Sequence, residues 1–402
     1  MPGRCQRRIV SSVALALLCV LPVVSARIVP RPGPSVGLPP IVLGVSTAQS
    51  GVAGEAGKQL ITGSQAYFDI VNQAGGINGR KITMLVKDDR YDPDLAVQNA
   101  YELITKDQVF ALFDSMGTPT LTRVLPLLEY FQAEHFVTFA PFTGSDPPRR
   151  PPYDRYAFNV RASFSEETEQ LVEYFYGQGS RRFGLFMQAD SLGMSGESGV
   201  RQALAARHLP LIDSVTYRRN STFQTDMSEQ VKLLRASNVD AVIAMSIYEP
   251  GSRFIRDARG AGWNVPIGIL DSEAATQVLG RAIGTGNVPV VENVVNCQVV
   301  PSPDDTEYPL VRQYRAHVLE SQYSPKSLEG WLNAVVLTEG LRRAGTNPSR
   351  LDFIRAMEHL RGWNPGLGVD FNFSVEDHQG LHTVWLSKLE NGRWVAIASR
   401  ER

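Results

Sequence analysis

The chain has 402 residues, 43% hydrophobic and 20% charged, with a formal net charge of −1. That length holds two domains, and the composition is that of a folded globular protein without disordered or collagen-like bias. The balance turns more acidic once the N-terminal segment is removed, which argues against nucleic acid or an anionic membrane surface as partner.

Residues 1–26 stand apart from the rest. Arg4, Arg7 and Arg8 form a basic start, residues 9–24 an apolar run, and Val24-Ser25-Ala26 a small-residue cleavage motif, so a signal peptide cleaved after Ala26 is expected. Pro22 breaks the run, and no later stretch reaches the ~20 apolar residues that span a bilayer. Bulky Leu17-Leu18 ahead of Cys19 disfavours a lipoprotein. Cleavage removes Cys5 and Cys19, leaving Cys297 with no internal disulfide partner. Residues 27–40, RIVPRPGPSVGLPP, read as an extended Pro-rich tether.

From residue 41 strands and helices alternate. A short apolar strand over 41–45 runs into the Ser/Gly loop 46–51. The following helix carries Leu60, Ile61, Ala66, Phe68, Ile70 and Val71 on one stripe and stops at Gly75-Gly76, and Asn78-Gly79 turns the chain into a strand over 81–86. Asp92 and Pro93 mark the next helix start. Strands over 109–113, 136–139 and 156–160 and a helix over 119–130 follow, with a Pro/Arg-rich loop at 147–152. A second set then begins: strands over 182–187, 211–217, 241–244 and 266–270 between helices over 166–176, near 197–207, over 224–236 and over 251–261. Such alternation predicts α/β architecture, two doubly wound parallel-sheet units in tandem.

Three motifs carry a resemblance. Ser50-Gly51 closes the first loop, residues 74–80 read AGGINGR, and residues 88–93 read DDRYDP. This combination resembles the type I periplasmic binding proteins, in the branch of leucine/isoleucine/valine-binding receptors of ABC importers. The likeness extends through Gly117-Thr118-Pro119-Thr120, Phe158-Asn159-Val160-Arg161 and Ser327-Leu328-Glu329-Gly330, covering nearly all of the chain after Ile41. It implies lobes joined by a three-strand hinge, crossed near Val160, Cys297 and Val369. On that basis 41–160 form lobe 1, 161–297 lobe 2, 298–368 (with helices over 308–323 and 328–344) a return to lobe 1, and 369–402 a return to lobe 2.

In open α/β sheets ligands collect at the carboxyl ends of the strands. The loops 46–51, 115–120 and 141–146 there are rich in Ser, Thr and Gly and hold no Lys or Arg, so a carboxylate or neutral polar head fits better than a phosphate. Ser50 and Ser115 are hydroxyl candidates in these loops. The resemblance implies that Thr118 takes a ligand carboxylate, that Phe142 and Gly144 complete that subsite with Thr143 beside them, and that Tyr248 closes the second-lobe side. Glu273, just after a strand, matches the family's partner for a ligand ammonium.

Plainer roles stand beside these. Thr118 is also a natural N-terminal residue ahead of Pro119, and Glu273 a helix-start acid worth ~0.3–1 kcal/mol. Tyr248 reads as core or rim, and Arg161 as a hinge brace in an ion pair, with a ligand contact the lesser reading. Two departures from the family alter the pocket wall: Leu192 replaces a Tyr, and Phe142 a small residue. Asp114 replaces a Gly, facing solvent or adding an acid to the cleft.

Enzyme signals are thin. His378 and His382 lack the acid of a zinc-helix motif, Cys297 sits in a valine-rich strand, and Asp88, Asp89, Asp92 and Asp94 lack the glycine and distant glutamate of a calcium loop. The expectation is a non-catalytic periplasmic receptor without cofactor or metal. It binds an amino acid or related small carboxylate, with an aromatic carboxylate as alternative, and serves an ABC permease in the inner membrane, or else a sensor or chemoreceptor.

Overall fold

Ile41, Leu43 and Val45 are almost wholly buried, as an apolar run between two parallel neighbours has to be. In the computed structural model, which describes residues 38–270, 293–390 and 393–397, this run is β1 (Ile41–Thr47), flanked by β2 (Ile82–Asp88) and β3 (Ala111–Phe113). With β4 (Thr138–Phe139) and β5 (Ala157–Phe158) they form a parallel sheet of order β2-β1-β3-β4-β5. Its two faces are covered by different helices. Ala111 and Phe113 pack in one core with Phe68 and Val71 of α1 (Gly54–Gln73), while Leu112 packs in another with α2 (Pro93–Thr105) and α3 (Thr118–Tyr130). Asp92 caps α2, accepting from the amides of Asp94 and Leu95.

The second sheet follows the same logic. The strands are β6 (Phe183–Gln188), β7 (Leu211–Tyr217), β8 (Ala241–Met245), β9 (Ile267–Leu270) and β10 (Val294–Gln298), parallel throughout. β11 (Trp385–Glu390) and β12 (Arg393–Ala396) add an antiparallel edge, giving the order β12-β11-β10-β9-β8-β6-β7. Leu185, Ala241 and Ile243 meet α4 (Phe164–Gly177) and α5 (Ser191–Ala205); Phe186, Val242 and Ala244 meet α6 (Ser228–Ala236) and α7 (Tyr248–Gly260). Three later helices, α8 (Pro309–His317), α9 (Pro325–Ala344) and α10 (Arg350–Glu358), belong to the first lobe, where Tyr314, Trp331 and Phe353 join Phe113, Phe139 and Phe158 in one core.

Some boundaries differ from the sequence expectation, each for a physical reason. α5 starts at Ser191, capped by Asp190, because Gly193, Gly196 and Gly199 are helical despite their low propensity. A Cβ on Gly193 would lie 2.0 Å from the Gln188 carbonyl oxygen, so the close approach of α5 to β6 demands glycine. The segment ahead of α6 is a turn held by Thr222, Thr225 and Asp226, and the helix waits until Ser228. The helix expected over 308–323 ends at His317. Val318 is extended and only the short turn Glu320–Gln322 follows, leading into the capping box of Ser324 and Ser327 and the Pro at the first position of α9.

Candidate functional site

A cleft opens where carboxyl ends of strands from both sheets converge, with about 80 Å³ of room for the centres of water-sized molecules. One water needs ~10–15 Å³ by that measure, so several waters or a small organic molecule fit.

On the first-lobe side the floor is the start of α3. Gly117, at φ +104°, lies against Tyr91, whose ring would meet a Cβ at 2.5 Å, and it brings Thr118 to the first turn of the helix. Thr118 Oγ1 lies 2.7 Å from Thr143 Oγ1, which accepts from the Ser145 amide at 3.1 Å. An amide-rich helix start with two adjoining hydroxyls is suited to an anion. The loops are locked together: the Phe142 amide donates to the Ser115 carbonyl at 2.8 Å, and the Gly117 amide to the Phe142 carbonyl at 3.2 Å. Arg149 binds this loop to the inter-lobe crossover, donating to the carbonyls of Thr143, Ser145 and Arg161 at 3.1, 2.8 and 3.1 Å. Burial and the nearby Arg161 lower its pKa to about 10, still cationic at neutral pH.

Two further cations enter from elsewhere. Arg161, which follows β5, pairs with Glu167 at 3.2 Å and Glu329 at 3.4 Å, all three side chains almost fully buried. Lys326, in the first turn of α9, is 4% exposed. Both lie on the Phe142 ring, the Arg161 guanidinium carbon 4.7 Å and the Lys326 ammonium 4.8 Å from its centroid.

The second-lobe side is apolar, built from Phe164, Leu192, Met245, Ile247, Tyr248 and Leu270. A polar relay fixes it. The Ile247 amide donates to the Tyr217 hydroxyl at 3.1 Å, Tyr217 donates to Gln188 Oε1 at 3.1 Å, and Gln188 Nε2 donates to the Tyr91 hydroxyl at 3.2 Å, across the cleft. Ser246 also lines the wall; its residue is 8% exposed and its hydroxyl has no hydrogen-bond partner among the described residues.

Of the residues expected from sequence, Thr118, Phe142, Thr143 and Tyr248 line this cleft together. Three others are absent from the described lining. Ser50 donates to Asp88 Oδ2 at 2.6 Å and ties the loop after β1 to the end of β2. Ser115 supplies the carbonyl that holds Phe142. Gly144 gives room to α4, since a Cβ there would stand 2.4 Å from the Phe164 ring. Glu273 lies outside the described residues. Arg161 is braced by ion pairs and lines the cleft as well. Asp114 faces neither solvent nor cleft: it is fully buried inside the first lobe, against Ser64 and Asn333. Its φ of +47° is a conformation that Gly adopts without cost and Asp tolerates.

Sequence reasoning missed Lys326. The three Ser/Thr-rich loops do lack cations, but the cleft gains Lys326 from α9 and Arg161 from the crossover. Its local sign is weak: Lys326 stands in the first turn of a helix that also carries Glu329 among Leu328, Trp331, Leu332 and Val336. His378 is structural, stacked on Phe158 with ring centroids 4.0 Å apart.

A sequence profile described as "Periplasmic binding protein" matches residues 40–393. The chain belongs to the periplasmic binding protein family. That family implies a periplasmic binder of small molecules, and among the described residues no helix is long and apolar enough to cross a membrane. An amino acid binding protein of Pseudomonas aeruginosa is 23% identical over 245 residues, 59% of this chain and 63% of that one. Among solved structures, a possible leucine/isoleucine/valine-binding protein from Rhodopirellula baltica SH 1 superposes with a TM-score of 0.81 at 27% identity, covering 92% of this chain and 98% of that one. A fatty acid ABC transporter substrate-binding protein from Thermomonospora curvata shares the fold, with a TM-score of 0.75 at 22% identity over 91% and 93% of the two chains.

Proposed function

We propose that this periplasmic binding protein captures a small carboxylate, an amino acid or a related acid, and delivers it to the permease of an ABC importer in the inner membrane. Export begins with residues 1–26 and cleavage after Ala26. The observation that carries the reading is the amphipathic cleft, in which the helix start at Thr118 and the Thr143 hydroxyl face an apolar wall from the other lobe. A ligand carboxylate accepts charge-assisted bonds at the first and its hydrocarbon part is buried against the second. Ser246 offers a further hydroxyl to a polar group of the ligand. Closure of the lobes buries the ligand, and the permease reads occupancy as shape.

The names of the Pseudomonas and Rhodopirellula proteins support an amino acid, and that of the Thermomonospora protein supports an acid with an apolar body. The test is a thermal-shift screen of the chain from Arg27 against amino acids and aliphatic and aromatic carboxylates. A ligand at a hundredfold excess over its dissociation constant adds about 2.7 kcal/mol to the folded state. Stabilisation by one of these carboxylates is the expected outcome; silence across the whole panel refutes the reading.

A further inference from the structure

Tyr91 touches both walls of the cleft. Its backbone is left-handed, with φ +62°, a conformation that a bulky residue adopts only at a cost. The Asp89 carboxyl holds it there, accepting from the Tyr91 amide at 2.9 Å and from the Ser46 hydroxyl at 2.9 Å. So held, the Tyr91 ring packs on Gly117, directly ahead of Thr118, while its hydroxyl meets Gln188 of the second sheet. Gln188 is equally fixed. It is the last residue of β6 and fully buried; Nε2 donates to Asp190 Oδ2 at 2.8 Å as well as to Tyr91, and Oε1 accepts from Tyr217, which holds the Ile247 amide of the apolar wall. Both N–H groups and the oxygen of this amide are engaged, so it has one orientation. The bond from Gln188 to Tyr91 joins the loop that packs against the start of α3 to the strand end that fixes Ile247, and opening the cleft has to break it.

We propose that Tyr91 and Gln188 are positioning residues that latch the cleft shut, setting how long a bound solute stays by the same factor for every solute the cleft accepts. In its bearing on solutes this rests on the reading of the cleft as the solute site. The physical basis is a population shift: a bond made in the closed form alone raises the ratio of closed to open molecules. A neutral hydrogen bond changes such a ratio about threefold to tenfold. The effect falls on release, because a solute leaves only after the bond has broken.

The test reads closure first, without solute. Spin labels are placed on the exposed positions Lys58→Cys of α1 and Ser198→Cys of α5 in the chain from Arg27, whose own Cys297 is buried, and their separation is measured by double electron–electron resonance. Tyr91→Phe keeps the ring on Gly117 and deletes the hydroxyl. It is expected to lower the closed-to-open ratio about threefold to tenfold. Gln188→Met is expected to do at least the same, and the double variant to open no further than Gln188→Met alone, because one bond is lost only once. Melting temperatures confirm that each variant is folded. Unchanged distances in Tyr91→Phe, as packing alone would give, or additive effects of the two substitutions overturn the latch. With leucine and 4-methylpentanoate as probes, stopped flow is expected to show release from Tyr91→Phe faster by one common factor; a change confined to one probe makes Tyr91 a recognition residue and also overturns the latch. Leu192→Trp fills the apolar wall, and if it leaves probe binding intact the solute-site reading fails. The distances then still decide the latch, as they do if neither probe binds.

Discussion

Asp114 accepts a hydrogen bond from Asn333 Nδ2 at 2.8 Å, joining the end of β3 to the middle of α9 inside the first lobe. Ser64 of α1 binds the other carboxyl oxygen and also donates to the Gly330 carbonyl, so three elements meet at one acid. Burial pushes the Asp114 pKa well above its usual 3.8, and nearby Glu329 adds to this, although the bonds from Ser64 and Asn333 oppose it. The folded protein therefore keeps a proton that the unfolded chain releases, and this group lowers stability as pH rises above about 3.8. Asp114→Asn keeps the shape and the left-handed backbone without that slope. In urea unfolding at pH 7 it is expected to match or exceed the wild type, whereas Asp114→Ala is expected to lose about 2–3 kcal/mol through unsatisfied partners and backbone strain.

The contact between α1 and α9 depends on glycine on both sides. A Cβ on Gly63 would fall 1.7 Å from the Ser327 carbonyl oxygen, and one on Gly330 would fall 2.0 Å from the Leu60 carbonyl oxygen. Backbone cannot step aside as a side chain can, so Gly63→Ala or Gly330→Ala is expected to cost about 3 kcal/mol or more in denaturant unfolding. Gly177, at the exposed end of α4, has nothing within 4 Å of a new Cβ. Gly177→Ala is expected to stabilise by about 0.4–1 kcal/mol.

His382 and Glu166 form a pH-dependent pair, Nδ1 to Oε1 at 2.6 Å, between the segment leading into β11 and the start of α4. Burial pushes Glu166 up, but bonds from His382 and Ser163 outweigh it and hold the carboxyl at about 2 against a usual 4.5. The hydrogen bond to Glu166 raises His382 above 6.5, against a smaller opposing effect of burial. The contribution of Glu166 is present above 4.5 and lost as pH falls toward about 2. That of His382 is full below 6.5 and lost as pH rises through its elevated pKa. The pair therefore helps most between about pH 4.5 and 6.5. His382 is half exposed, so His382→Ala is expected to cost under about 1 kcal/mol in that window, and less at pH 9, by thermal melts across pH.

Arg161 stands between Glu167 on α4 and Glu329 on α9. Arg161→Met leaves two buried carboxylates without its charge, and the expected loss is about 3–5 kcal/mol in chemical unfolding. A variant in which Glu167 and Glu329 are also made neutral is expected to recover part of that loss, because the cost lies in uncompensated charge.

Much of this fold was readable in the chain because parallel strands are continuous apolar runs and helix starts carry their caps, as Asp92 and Pro93 do for α2. The sequence pattern shortens α5 because Gly193, Gly196 and Gly199 speak against a helix locally, while their real cause is contact with Gln188, Met245 and Thr168. The site was legible only in part. A serine count cannot tell a hydroxyl committed to a nearby acid, as Ser50 is to Asp88, from one facing a cleft, as Thr118 does. Lys326 meets Phe142 through the packing of α9 on the first lobe, a long-range contact that no local pattern announces.

The most direct test of the central claim is a crystal structure of the chain from Arg27 with the acid that gives the largest thermal shift. The account predicts ligand density in the cleft, with a carboxylate oxygen within hydrogen-bonding distance of Thr118 Oγ1 and its hydrocarbon part against Leu192 and Met245. A bound ligand elsewhere on the protein, or one seated in the cleft with its carboxylate turned toward the apolar wall, would contradict it.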